Sequence, residues 1–228
     1  MARARIQLYY DIISPYSYLA FEALTRYARS GVWDIELQLC PAALGGVHKI
    51  AGVQQIAPAA HPLKKANMHR EMRRLFAEYG IEGSIPETHP FEYNTLGVMR
   101  FLRVLQDSED SALLEACSRR LFDQLFHAHT KPADASFLGV LAPSLLSDAN
   151  LEELLVKSVE QGNKQRLADE AAALVKTHGA FGFPWIVVQR ADGATESWFG
   201  SDRFGNIAWW LGEGFEWSGP NPKQKAAL

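Results

Sequence analysis

Ile6-Gln7-Leu8-Tyr9-Tyr10-Asp11-Ile12-Ile13 runs directly into Ser14-Pro15-Tyr16-Ser17, and the apolar residues that follow (Tyr18, Leu19, Phe21 and Leu24) recur at helical spacing. The first run reads as a strand and the tetrad as the opening of a helix that ends near Gly31. Pro15 suits a first helical position, where its missing N–H would have no partner anyway. Ser14 then falls at the N-cap, its hydroxyl among free amides. Such a helix start attracts negative charge. Taken locally, a serine that does nothing more than cap is the commoner case. What the rest of the chain brings beside it decides whether Ser14 does more.

Working outward, Trp33-Asp34-Ile35-Glu36-Leu37-Gln38-Leu39-Cys40 alternates apolar and polar residues, the pattern of a half-buried strand. Strand, helix and strand within about forty residues make a βαβ unit with parallel strands and a right-handed crossover. A ligand then belongs at the carboxyl end of the first strand, beside Ser14. From Pro41 to Pro62 the periodicity fades, so a long loop with one short turn at most is expected, and loops of that length are often functional. Helical patterns follow over Leu63–Tyr79, Asn94–Gln106, Ser111–His127, Ala135–Leu146, Asn150–Gln161 and Lys164–His178. Strand patterns return at Trp185–Gln189 and Thr195–Phe199 around the turn signal Asp192-Gly193, which predicts an antiparallel hairpin. Gly200-Ser201-Asp202 then leads into a last helix from Arg203 to Leu211.

This order, β-α-β, a helical block, then β-β-α, predicts an α/β protein with a thioredoxin-like fold. Residues 1–41 and 179–228 would form the thioredoxin-like domain, and residues 42–178 an all-helical insertion. In that fold a C-x-x-C sits where Ser14-Pro15-Tyr16-Ser17 stands here, and a cis proline faces it from the start of the third strand. Pro184 occupies that place.

Composition narrows the function. The 228 residues carry 23 Lys and Arg against 26 Asp and Glu, for a net charge of −3, and the signs are mixed along the chain. No electrostatic footprint for nucleic acid is present. No apolar stretch approaches a membrane span, and the N-terminus lacks the order of a secretory signal. An intracellular, cytoplasmic protein is expected. Mitochondrial or peroxisomal import stays open, although the terminal Ala226-Ala227-Leu228 lacks the basic residue of a Ser-Lys-Leu signal. Cys40 and Cys117 are far apart in apolar surroundings, which predicts two buried thiols and no disulfide framework.

Tyr10-Asp11-Ile12-Ile13-Ser14-Pro15-Tyr16-Ser17-Tyr18-Leu19-Ala20-Phe21-Glu22, Gly179-Ala180-Phe181-Gly182-Phe183-Pro184 and Phe199-Gly200-Ser201-Asp202-Arg203 together resemble the kappa class of glutathione transferases. That class belongs to a DsbA-like superfamily that also contains the glutathione-dependent 2-hydroxychromene-2-carboxylate isomerases. The resemblance implies that glutathione is the cofactor and that Ser14 is the catalytic serine holding its sulfur as a thiolate. A hydroxyl donor and helix-start amides favour the charged form of a sulfur. By the same resemblance, the backbone of Phe183, before Pro184, pairs with the cysteinyl part of glutathione. Ser201 and Asp202 take the γ-glutamyl carboxylate and ammonium, and Pro15, Tyr16 and Ser17 form the wall near the sulfur. The family commonly has an Asn after the second strand, where Val53 stands here, with Gln54 or Gln55 as substitutes. Lys64 is the candidate for the glycyl carboxylate, against the reading that it is an ordinary solvated lysine. A homodimer is expected on the resemblance.

Other chemistries fit less well. His127 and His129, two apart, would point to different faces of a helix, so no metal site is expected. His48 and His61 could line an acceptor pocket or lie isolated on the surface. Trp185 and Trp198 are expected to pack the hairpin. No base is placed to make Ser14 a covalent nucleophile. Serines in place of both cysteines exclude direct thiol–disulfide exchange at the tetrad. Three functions remain. The first is a detoxifying transferase that joins glutathione to a small electrophile or reduces hydroperoxides. The second is an isomerase using the same thiolate reversibly. The third is a noncatalytic module that binds glutathione or an extended peptide.

Overall fold

β1 (Ala4–Tyr10), β2 (Ile35–Pro41), β3 (Trp185–Gln189) and β4 (Thr195–Phe199) form one mixed sheet in the spatial order β2-β1-β3-β4. The computed structural model describes residues 3–53, 61–89, 93–142 and 144–222. β1 runs parallel to β2, with Ile6 opposite Leu37, and antiparallel to β3, with Leu8 opposite Ile186. β3 and β4 pair antiparallel, as the Asp192-Gly193 turn predicts, and Gly193 has φ +90°. The Phe183–Pro184 peptide bond is cis.

Each face of the sheet is covered because β1 is apolar on one side and amphipathic on the other. Ile6, Leu8 and Tyr10 are fully buried in the larger cluster, with α1 (Pro15–Ser30) and helices of the long insertion. Tyr9 faces the opposite way and packs on a smaller cluster of Val47, Ala171, Leu174, Phe183 and Trp185. The insertion comprises α2 (Leu44–Ile50), α3 (Pro62–Tyr79), α4 (Leu96–Asp107), α5 (Ser111–Phe126), α6 (Ala135–Gly139), α7 (Asp148–Ser158) and α8 (Gln161–His178). Its core joins that of the sheet through aromatic rings. Tyr18 of α1 stacks on Phe122 of α5 at 4.6 Å, and Tyr10 bonds the Ser118 hydroxyl at 2.6 Å. A short α9 (Phe204–Leu211) closes the chain's last unit, where Trp198 and Trp210 meet edge to face. Trp185 and Trp198 thus pack within the hairpin region as expected.

The structure departs from the sequence reading in the insertion. The stretch after Pro41, expected as loop, contains α2. Gly45 and Gly46 weaken any helical signal there, and its first amide is satisfied from outside, by the Asp11 carboxylate at 2.8 Å from the Leu44 nitrogen. The helix expected over Ala135–Leu146 is a single short turn, α6, because Gly139 and the Pro143 of the sequence are poor helix continuations. α4 begins two residues later than expected. Asn94 accepts from the Leu96 amide in a local turn, and the Thr95 hydroxyl is committed elsewhere. Cys40 and Cys117 are both buried free thiols, each pushed up to about 12 by that burial. Among the described residues, no helix is long and apolar enough to cross a membrane.

Candidate active site

Ser14 is the N-cap of α1 in extended conformation, with Pro15 in the first helical position. Its Oγ accepts from the Ser17 amide at 3.1 Å, which satisfies one of the helix's open donors. The same hydroxyl donates to the carbonyl oxygen of Phe183, 3.3 Å away across the gap between α1 and the start of β3. That second bond is long, so the hydroxyl can turn to another acceptor at small cost.

Asp11 holds this turn. Its backbone carbonyl accepts from the Ser14 amide at 3.0 Å, and its carboxylate is 2% exposed. One carboxylate oxygen accepts from the Ile13 amide at 3.1 Å and from the Thr95 hydroxyl at 2.7 Å. The other takes the Leu44 amide at the start of α2. Burial raises the Asp11 carboxyl's pKa, while the three donors pull it back towards the ionised form. His89 closes the turn from the other side: its Nε2 lies 2.5 Å from the Ile13 carbonyl and donates to it. Burial, followed by the nearby His69 and Lys65 charges, pushes its pKa down to about 4, so the ring is neutral at physiological pH. With Nε2 carrying the proton, Nδ1 is a bare acceptor, and it is buried without a partner.

These groups line a cavity of about 730 Å³ between the sheet's carboxyl edge and the insertion. Ser14, Pro15, Tyr16 and Phe183 form one side of it, α2 and the start of α4 another, and Phe181 and Phe199 a third. Tyr16 donates to Glu71 at 2.6 Å. Burial, this bond and the Glu71 and Asp202 charges all raise its pKa, so it stays a neutral phenol. His48 lines the cavity and is likewise lowered by burial, whereas His61 caps α3 at the surface. Among the described residues no cluster of His, Cys, Asp or Glu could hold a metal ion.

The remaining candidates lie further out. Ser17 is fully buried behind Ser14, and Pro184 is buried with its carbonyl taken by the Gly200 amide at 3.1 Å. Ser201 is buried, and Asp202 is exposed, paired with Arg203 at 3.3 Å. Neither lines the cavity, although Asp202 is near enough to raise Tyr16. α9 starts at Phe204, so the Ser201-Asp202 pair precedes an N-cap at Arg203 that has no side-chain cap bond. Lys64 is exposed in the first turn of α3, off the cavity wall. Val53 is exposed just beyond α2, and Gln54 and Gln55 lie outside the described residues.

The cis proline faces a serine-capped helix in this sheet order. The family model described as the DSBA-like thioredoxin domain matches residues 5–211. The chain is 34% identical over 221 residues to glutathione S-transferase kappa 1 of Rattus norvegicus, covering 95% of this chain and 94% of the relative. The chain belongs to the kappa glutathione S-transferase family. Glutathione S-transferase kappa 1 of Homo sapiens is also 34% identical, over 95% of this chain and 94% of its own length. A solved structure of 2-hydroxychromene-2-carboxylate isomerase has the same fold, with a TM-score of 0.74 at 20% identity over 91% of this chain and 94% of that one.

Around Ser14 the structure adds residues that the sequence reading left without a role. Asp11 stands inside the first quoted motif, three residues before the tetrad, but its partners Leu44 and Thr95 are 33 and 84 positions away. No local pattern announces such a clamp. His89 was equally silent, since a lone histidine in a loop carries no spacing signal.

Proposed function

We propose that this chain is a glutathione transferase of the kappa type, in which Ser14 stabilises glutathione as a thiolate that attacks a small electrophile. The observation that carries the reading is the Ser14 hydroxyl at the start of α1, 3.3 Å from the carbonyl before cis-Pro184, on the wall of a cavity of about 730 Å³. A sulfur beside Ser14 takes the hydroxyl's hydrogen in place of the Phe183 carbonyl. The start of α1 adds a favourable potential for the negative charge. Both lower the thiol's pKa, because both act on the charged form alone.

In this reading the Phe183 backbone pairs with the cysteinyl unit of glutathione, and Pro15, Tyr16 and Ser17 form the surroundings of the sulfur. Ser201 and Asp202 receive the γ-glutamyl end, and Lys64 the glycyl carboxylate. The thioredoxin-like part, residues 1–41 and 179–228, supplies the glutathione side, and residues 42–178 close the cavity over it. For an aryl halide, the thiolate sulfur forms a bond to carbon and the halide leaves with its electron pair. For a hydroperoxide, one glutathione takes an oxygen as sulfenic acid, releasing the alcohol, and a second glutathione gives the disulfide and water.

The isomerase alternative uses the same thiolate but returns it. Incubation with a halonitroarene and with a hydroxychromene carboxylate separates the two by whether glutathione is consumed. The described cavity lining contains no Lys or Arg to meet a substrate carboxylate, which favours the transferase reading. The test of the thiolate itself is its absorbance against pH with glutathione bound. The parent is expected to titrate below free glutathione, and Ser14→Ala closer to it. Identical titration of free and bound thiol in both proteins would overturn the mechanism, and calorimetry showing no glutathione binding would overturn the whole reading.

A further inference from the structure

Two phenylalanines on the cavity wall remain unusually open. Phe181 is 44% exposed and Phe199 is 43% exposed, although the protein buries most of its aromatic rings. Their ring centroids lie 4.7 Å apart at 51°, and Trp185 braces the pair by meeting Phe181 edge to face at 5.4 Å. Gly182, between Phe181 and Phe183, lets this arrangement form. A Cβ there would lie 2.9 Å from Cε2 of Phe199, closer than carbon atoms tolerate, so any side chain at that position would push the ring away. The pair also flanks Phe183, whose carbonyl receives the Ser14 hydroxyl.

The neighbouring groups add no charge for a ligand to meet. Asp11 is the only carboxylate in the described lining, and its oxygens are taken by the Ile13, Leu44 and Thr95 donors. His48 and His89 are both shifted towards neutrality by burial. Half-exposed rings held by a neighbouring glycine and a tryptophan, beside the reacting position of a cavity, have unfilled apolar surface that a flat partner can cover.

From this we infer that Phe181 and Phe199 form the specificity-determining wall for the second substrate, selecting an uncharged aromatic group on the electrophile that glutathione attacks. The inference rests on the glutathione reading above. A ring joined to the sulfur lies against the Phe181–Phe199 pair, while a methyl group in its place leaves both phenylalanines open to water. Discrimination therefore comes from covering the pair and not from any charge.

Unreactive thioethers test this without turnover. S-benzylglutathione and S-methylglutathione share the tripeptide and differ by one phenyl ring, and calorimetric titration gives the ratio of their affinities within each protein. In the parent the benzyl compound is expected to bind about tenfold tighter or more, the scale of burying a phenyl group. In Phe199→Ala the ratio should fall below about threefold. Gly182→Ala, which keeps both rings but displaces Phe199, should lower it as well, and Phe199→Tyr should preserve it. A parent ratio near one, or a ratio that Phe199→Ala leaves unaltered, would overturn the inference. If the parent binds neither compound, the glutathione reading fails and takes this one with it. If it binds S-methylglutathione with no benzyl preference, the aromatic wall alone is refuted.

Discussion

The Ser14 hydroxyl and the Phe183 carbonyl oxygen meet at 3.3 Å although 169 positions separate them in the chain. The contact joins the first helix to the last pair of strands, and it places a serine that already caps a helix opposite the cis peptide at Pro184. One hydroxyl thus has a structural acceptor role towards Ser17 and a donor proton that a ligand can claim.

These two roles separate in a substitution. Glycine is nearly as good an N-cap as serine, so Ser14→Gly should cost only a few tenths of a kcal/mol of stability, against about 1 kcal/mol for Ser14→Ala. Both variants lose the donor. A hydrogen bond to a charged group contributes about 1.5–3 kcal/mol, so kcat/KM for glutathione conjugation should fall about tenfold to a hundredfold in either. Urea denaturation beside steady-state kinetics checks both parts.

Asp11 ties three segments together, and its removal should be felt in stability first. Asp11→Ala leaves the Ile13 amide, the Leu44 amide and the Thr95 hydroxyl without their acceptor. At about 1–3 kcal/mol for each buried unsatisfied group, a loss of about 3 kcal/mol or more is expected. Thr95→Val removes a single partner and should cost about 1 kcal/mol. Equilibrium unfolding of the two variants measures the difference.

His89 gives the protein an acid sensitivity with a defined sign. Its folded pKa, about 4, lies below the value of about 6.5 for an unperturbed histidine, so between these the unfolded chain binds the extra proton. Its contribution is complete above pH of about 6.5 and is lost as pH falls towards 4, to a total of about 3 kcal/mol. In His89→Gln, where an amide can still donate to the Ile13 carbonyl, the decline of Tm between those pH values should be shallower than in the parent.

Gly83 is intolerant for a backbone reason. It has φ +144°, and a Cβ there would sit 2.5 Å from the Phe126 carbonyl oxygen, which also accepts from the Ser84 amide at 2.7 Å. Gly83→Ala must move main chain on one side or the other. A loss of about 2 kcal/mol or more is expected, measured by the shift in denaturation midpoint.

Where the chain's structure depends on neighbours in sequence, the residues announce it. The strand before Ser14, the proline after it and the Asp192-Gly193 turn are each local signals, and the structure follows them. Cis-Pro184 became legible only through the order of elements, since nothing in Phe183-Pro184 alone requires it. α2 was hidden because its cap comes from Asp11, 33 positions earlier, and because Gly45 and Gly46 suppress its own propensity. The site shows the same division. Ser14, Pro15, Tyr16 and Phe183, which belong to the quoted motifs, line the cavity, whereas the clamp through Thr95 and the support from His89 depend on tertiary contacts that leave no trace in spacing.

The sheet order also bears on how the chain is made. β1 is central, with β2 on one side and β3 on the other, but residues 42–178 intervene before β3 is synthesised. A chain emerging from the ribosome therefore carries β1 with one ladder edge unpaired until the strand at Trp185 arrives. That same strand brings Phe183 to Ser14, so the cavity closes only when nearly the whole polypeptide is available, and incomplete chains lack it.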